Sequence, residues 1–295
     1  MSTPTSLAFP AGVRRTEVRT SRGDFAALEA LPVPGVCERE TALLVPGYTG
    51  SKEDFLAVLG QLAAAGRRVL SIDMRGQYQT KANADTAYSA TALGADIAAV
   101  VQATQTRHLL GHSYGGLVTR EAMLDHLAGD GIESFALMSS GPAGLTGPRA
   151  DELRTMLAAL GVRDGASIPA SLPIEELWDS QLEPQFVAAG VPDTIVAFLR
   201  GRMLGNDPNG LVHMARHLLT APDRTEELAS EAAIPILVIY GEYDHSWSPA
   251  TQEEMARRLG AKRVCIPGAV HSPNVEAPAM TASTLTEFWN AAEKA

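Results

Sequence analysis

The sequence predicts a three-layer α/β fold: a mostly parallel central sheet, helices on both faces, and a helical insertion between two core strands. Three observations carry that reading. Short apolar runs bounded by glycine or proline recur along the chain, as strands buried on both faces do. They alternate with segments of helical period, the pattern of parallel strands joined by crossover helices. From about Gly144 to Ala233 the alternation stops, and only helices and prolines are read.

The elements follow in order. "RRTEVRTSRGDFAALEA" at 14–30 has period-2 polarity around a turn, the sign of a β-hairpin. "TALLVPG" at 41–47 is a buried strand closed by Pro-Gly. The helix in "GSKEDFLAVLGQLAAAG" has Ser51 as N-cap, Glu53 and Asp54 in its first turn, and Gly66 as its stop. "RRVLSID" at 67–73 is the next strand. "ATALGADIAAVVQATQ" at 90–105 is a helix with Leu93, Ile97, Val100 and Val101 on one face. "RHLLG" at 107–111 is a strand, residues 115–129 a helix, and "SFALMSS" at 134–140 a strand. "IPILVIYG" at 234–241 and "KRVCIPG" at 262–268 are two more strands, with the helix "SPATQEEMARRLG" between them and a C-terminal helix after them.

The insertion holds four candidate helices, in "RADELRTMLAAL", "PIEELWDSQ", "PDTIVAFLRGRML" and "NGLVHMARHLL". Nearly ninety residues between two strands make a subdomain rather than a loop. The expected division is a core of residues 1–143 and 234–295 with an insertion at 144–233.

Bulk properties exclude several function classes. The chain has 295 residues, is 45% hydrophobic and 20% charged, and carries a net charge of −10. That composition is globular. The negative charge argues against nucleic-acid binding and against adsorption to anionic membranes. No apolar stretch is long enough for a signal peptide or a membrane span, so a soluble cytoplasmic protein is expected. Cys37 and Cys265 both abut apolar runs and are expected to be buried free thiols. The oligomeric state is left open.

"LLGHSYGGLV" at 109–118 places Ser113 in a G-x-S-x-G pattern where a buried strand gives way at once to a helix. By average composition the pentapeptide arises by chance on the order of 0.1 times in a chain of this length. At a strand–helix junction it has a physical meaning. Gly111 and Gly115 remove side chains from a tight turn, and the helix N-terminus offers free N–H groups to a developing oxyanion. A serine hydroxyl is a weak nucleophile and needs a base oriented by an acid. In an open parallel sheet both belong beyond the carboxyl ends of strands. Glu242 and Asp244 lie just beyond one strand and His271 in the loop after the next. The order Ser, Asp, His is the one a nucleophile elbow requires.

With these residues the chain resembles the serine hydrolases of the α/β-hydrolase superfamily that carry an inserted cap domain. The resemblance rests on "VPGYTGS", "DMRG", "GHSYGG", "GEYDHSWSP" and "GAVHSPNVEAP". It implies the α/β-hydrolase fold, with Ser113 as nucleophile, Asp244 as acid and His271 as base. It implies an oxyanion hole from the backbone amides of Tyr48 and Tyr114. It also implies a pocket for a small-molecule substrate, for which Trp178, Phe198 and Trp247 are the candidate binding residues. Glu242 is the runner-up for the acid. No metal or organic cofactor is implied.

The remaining histidines read as structural. His112 flanks the nucleophile, His245 lines the pocket or the surface, and His213 and His217 sit on a helix surface at i, i+4 with no third metal ligand. Two positions depart from the family. Pro46 stands where a histidine is usual, which removes a side-chain donor from the oxyanion loop. "DMRGQYQT" lacks the usual second glycine, and Gln77, Tyr78 and Gln79 either reach the pocket edge or form a solvated loop. The expected activity is hydrolysis of a carboxylic ester through an acyl-serine. Non-hydrolytic acyl transfer, lyase chemistry on a biosynthetic intermediate, and ligand binding without turnover are the alternatives.

Overall fold

In the computed structural model, residues 2–82, 87–127, 131–163 and 165–294 are described. The hairpin strands β1 (Val13–Thr20) and β2 (Gly23–Ala30) turn through Ser21 and Arg22, with Thr20 paired to Gly23. After β3 (Arg39–Val45) a 3-10 turn (Lys52–Phe55) leads into α1 (Leu56–Ala64). Then come β4 (Arg67–Ile72), α2 (Ala90–Thr104), β5 (His108–His112), α3 (Tyr114–Asp125) and β6 (Ser134–Met138). The end of the predicted third helix, at Ala128 and Gly129, lies outside the described residues.

The insertion follows as α4 (Gly147–Ala159), α5 (Ile174–Leu177), a π-helical turn (Trp178–Leu182), α6 (Glu183–Ala188), α7 (Asp193–Leu204), α8 (Pro208–Thr220) and α9 (Thr225–Glu231). The chain then rejoins the sheet as β7 (Ile236–Gly241), α10 (Pro249–Leu259), β8 (Lys262–Ile266), α11 (Pro273–Glu276) and α12 (Pro278–Ala292). The short helices α6, α9 and α11 have too few residues to leave a readable period in the sequence.

The sheet runs β1-β2-β4-β3-β5-β6-β7-β8. β2 pairs antiparallel with both neighbours and every other pair from β4 to β8 is parallel, so β2 alone runs against the rest. Alternate residues feed two cores, as the pleat requires. Leu43, Val45, Leu109 and Val238 join α2, α3 and the insertion on one face, while Ala42, Leu44, Leu110 and Leu237 join α1 and α12 on the other. This is the α/β-hydrolase fold. No helix among the described residues is long and apolar enough to cross a membrane.

The insertion is tied to the core by a buried ion pair. Arg202 on α7 meets Asp54 at 2.6 Å, with both side chains out of solvent. Burial pushes the Asp54 carboxyl up and the Arg202 charge pulls it down, with a net rise. Within the insertion, its first residues are joined to the end of α8, where the Gly144 and Leu145 amides donate to the Ala221 and Leu218 carbonyls (2.9 and 2.8 Å).

The expectation of buried thiols is corrected. Cys37 and Cys265 are both free and exposed. Cys265 lies on β8, the edge strand, whose outward residues face water rather than a covering helix. Cys37 lies in the loop before β3.

Candidate active site

The turn from β5 into α3 holds Ser113 at φ 53°, ψ −122°, a conformation L-residues rarely adopt. The glycines around it are there for space. A Cβ on Gly111 would run into the Thr119 hydroxyl and the Gly115 carbonyl, and one on Gly115 into the carbonyls of Pro46 and Val45. The Ser113 amide donates to the Met138 carbonyl of β6 at 2.8 Å, which pins the turn to the neighbouring strand.

His271 bridges Ser113 and Asp244. Its Nε2 lies 3.0 Å from Ser113 Oγ and its Nδ1 lies 3.0 Å from Asp244 Oδ1. Asp244 follows β7 and is buried. Its Oδ1 also accepts the Ser246 amide at 2.9 Å, and its Oδ2 accepts the Gln252 side-chain amide at 3.0 Å. Burial raises the Asp244 carboxyl, but the His271 ring and these two donors outweigh it and hold the group below the usual carboxylate range. Glu242, the alternative acid, is exposed and accepts the Gly268 amide at 2.9 Å instead of meeting His271.

The histidine loop is held from three sides. The Glu276 carboxylate accepts the amides of Val270 and Ser272, one on each side of His271. The buried His112 ring donates from Nε2 to the His271 carbonyl at 2.8 Å. Burial, and then the His271 ring nearby, push the His112 pKa down to about 3, so this imidazole is neutral. Trp247 packs its ring 6.5 Å from that of His271 and donates its indole N–H to the Ala143 carbonyl at 3.0 Å. His245 is exposed, with its ring 6.1 Å from His271.

The loop after β3 lies against the serine. A Cβ on Gly47 would sit 3.0 Å from Ser113 Cβ. Tyr48 and Tyr114 therefore flank Ser113, and their rings meet edge to face at 6.5 Å. The Tyr48 hydroxyl donates to the Leu211 carbonyl of α8 at 3.1 Å, and the Tyr114 hydroxyl lies 3.2 Å from His217 Nδ1. His217 is thus half-buried at the elbow rather than on a free helix surface. His213 is exposed and stacks on Tyr88.

The candidate pocket residues fall in different places. Trp178 is fully buried, donates its indole N–H to Glu183 at 3.0 Å and stacks on Phe186, as part of the insertion's own packing. Phe198 is half-buried and edge-on to Tyr78 at 5.8 Å. The "QYQ" segment is graded from buried to exposed: Gln77 is buried, Tyr78 half-buried and Gln79 exposed. Gln77 is 2% exposed, Gln79 accepts from the buried Lys52 ammonium at 2.9 Å, and that ammonium lies 4.8 Å from the Tyr78 ring centre.

Gln252 and Glu276 escaped the sequence reading, and Gln77 and His217 were named in it without the contacts they make. Glu276 carried a signal, four residues after Ser272 at a helix start, where a carboxylate caps free amides. The other three act through space and leave no local pattern. No group of three or more His, Cys, Asp or Glu among the described residues is placed to hold a metal ion.

Residues 42–284 match the profile of the Alpha/beta hydrolase family. A protein of Variovorax paradoxus (strain S110), named for carbamate hydrolysis as RutD, is 37% identical over 98 residues, a match spanning 32% of this chain and 37% of that one. A protein of Bacillus subtilis (strain 168), named as a 2-succinyl-6-hydroxy-2,4-cyclohexadiene-1-carboxylate synthase, is 25% identical over 84% of this chain and 90% of its own length. Among solved structures, a thermophilic esterase from Thermogutta terrifontis superposes with a TM-score of 0.69 at 21% identity, over 95% of this chain and 99% of that one.

Proposed function

The chain belongs to the alpha/beta hydrolase family, and from that premise we propose that it is a serine hydrolase cleaving a carboxylic ester, or a related acyl bond, of a small to medium, largely apolar substrate. The observation that carries this reading is His271 lying 3.0 Å from both Ser113 Oγ and Asp244 Oδ1.

In this mechanism His271 Nε2 takes the Ser113 proton as Oγ attacks the acyl carbon. Asp244 holds the Nδ1–H tautomer and stabilises the imidazolium. The Tyr48 and Tyr114 amides receive the oxyanion of the tetrahedral intermediate. His271 then gives its proton to the departing alcohol, and an activated water releases the acid from the acyl-serine.

The insertion, residues 144–233, acts as a cap over the site. Support comes from α8, which reaches both tyrosines through Leu211 and His217. Trp247 forms the wall beside the base, and Phe198 on α7 faces the Tyr78 side. The names of the Variovorax and Thermogutta proteins agree with acyl-bond hydrolysis.

The test is fluorophosphonate labelling together with a panel of p-nitrophenyl esters of increasing acyl length. Ser113→Ala should abolish labelling and lower ester turnover by several orders of magnitude. A folded variant that keeps more than about a tenth of wild-type activity removes Ser113 from the nucleophile role.

A second reading, lyase or acyl-transfer chemistry on a biosynthetic intermediate, is favoured by the match to a protein named as a synthase over 84% of this chain. Product analysis with and without a competing alcohol separates it from hydrolysis.

A further inference from the structure

We propose that Gln77 is a positioning residue that aims the oxyanion-hole amide of Tyr48. The inference rests on the serine-hydrolase reading above and adds to it the element that fixes the loop. Gln77 Nε2 donates to the Gly47 carbonyl at 3.1 Å, and the Gly50 amide donates to the same oxygen at 3.0 Å.

The Gly47 carbonyl and the Tyr48 N–H belong to one planar, trans peptide unit. In such a unit C=O and N–H point in opposite directions. Pinning the carbonyl from one side therefore aims the N–H toward the other. The unit needs pinning, because Gly47 has no side chain to restrict its backbone, and Pro46 before it has neither a backbone N–H nor a side-chain donor. A Cβ on Gly47 would crowd Ser113 Cβ at 3.0 Å, so the Gly47–Tyr48 peptide lies beside the serine.

The brace itself is rigid. The Gln77 amide donates to the Met74 carbonyl at 2.9 Å and its carbonyl accepts the Thr80 amide at 3.0 Å. Packing alone does not account for a glutamine here. Its Oε1 is buried with no donor among the described residues. A buried unmet acceptor disfavours folding, and an apolar side chain of the same length would avoid that cost. Pro46 brings the oxyanion loop no side-chain donor, and Gln77 brings one from the neighbouring loop.

The experiment compares Gln77→Met, which keeps length and loses the donor, and Gln77→Glu with the wild type. Active sites are titrated with a fluorophosphonate so that turnover is expressed per competent serine. For Gln77→Met, kcat per titrated site should fall about tenfold, less than the loss on removing a hole donor outright. KM should stay within about twofold, and the affinity of a boronic acid, whose tetrahedral adduct places an oxygen in the hole, should fall in step with kcat. Tm should hold or rise. Gln77→Glu should lose at least as much kcat, because its carboxylate meets the Gly47 carbonyl without a proton to donate. Hydrogen exchange at amides 48–51 should quicken in both variants.

A Gln77→Met enzyme with wild-type kcat per site and unchanged boronate affinity overturns the proposal. So does a loss explained wholly by fewer titratable sites, which is what a merely structural role gives. If the wild type takes no fluorophosphonate, the serine-hydrolase reading fails instead. The bracing is then judged on exchange alone, and unchanged protection at 48–51 overturns it.

Discussion

His217, on the insertion helix α8, has its Nδ1 3.2 Å from the phenol oxygen of Tyr114, the first residue after the elbow serine. Burial lowers the His217 pKa, with Arg120 adding to the fall against the pull of Glu121, and the ring shares a hydrogen bond with the phenol. The same helix takes the Tyr48 phenol on its Leu211 carbonyl. One helix of the insertion therefore grips both residues whose amides flank the serine.

Tyr114→Phe keeps the backbone amide and removes this tie. One net hydrogen bond is on the order of 0.5–1.5 kcal/mol, so kcat/KM should fall about 2- to 10-fold. The check is steady-state kinetics on short and long acyl esters. Equal rates for the two enzymes across the series would mean that α8 does not position the elbow.

Asp244→Asn should lower kcat by about three to four orders of magnitude, because a neutral amide neither fixes the imidazole tautomer nor stabilises the imidazolium. Glu242→Gln should leave kcat within about twofold, as for other exposed positions. Both are measured with one ester at saturation. The reverse ranking transfers the acid role to Glu242.

The pH profile of kcat/KM should have a single ascending limb, with one proton lost from the base. Asp244, held below the usual carboxylate range, stays charged throughout, and His112, pushed down to about 3, stays neutral. Neither adds a second limb. The limb should survive in His245→Ala and vanish with nearly all activity in His271→Ala. A flat wild-type profile with chemistry rate-limiting contradicts His271 as base.

Stability should fall on acidification in two stages. His108 is buried, donates from Nε2 to Glu293 at 3.1 Å and accepts from Ser134 at 2.8 Å. Burial, and then the Arg67 charge, lower its pKa to about 4. Below about pH 6.5 the unfolded histidine takes up a proton that the folded one refuses, so stability is lost between about 6.5 and 4. Glu293 is raised by burial but lowered further by Arg67, His108 and Arg39, to about 2. Its contribution is complete above the unfolded carboxylate range and is lost as pH falls from about 4.5 toward 2. Urea unfolding at pH 7, 5.5 and 4.5 measures the first stage. His108→Gln should flatten it by on the order of 1–3 kcal/mol. An unchanged slope would show that His108 titrates alike in both states.

Sequence reading reached the parts of this molecule that are local. A serine between glycines at a strand–helix junction, and acid and base candidates beyond later strands, are visible because each depends on its immediate neighbours. The contacts that hold those residues were not visible. Gln77 meets Gly47 from a different loop, His217 meets Tyr114 across 103 positions, and Gln252 reaches Asp244 from the next helix. Exposure of Cys265 was missed for another reason. An apolar run reads alike in a central and an edge strand, and only the strand order tells them apart.

The place of the insertion bears on how the enzyme is made. β6 and β7 are paired neighbours, from Phe135 with Ile236 to Met138 with Ile239, yet the whole of α4–α9 lies between them in the chain. Closing that long loop carries an entropic cost that the insertion's nearer helix contacts do not. Synthesis runs in the same direction. Ser113 and the Gly47–Tyr48 loop leave the ribosome first, with nothing to draw off the serine proton. Asp244 and His271 arrive only after β7 and β8 have been added to the sheet. On the proposed mechanism, a growing chain would carry Ser113 without its base until the segment through His271 has docked.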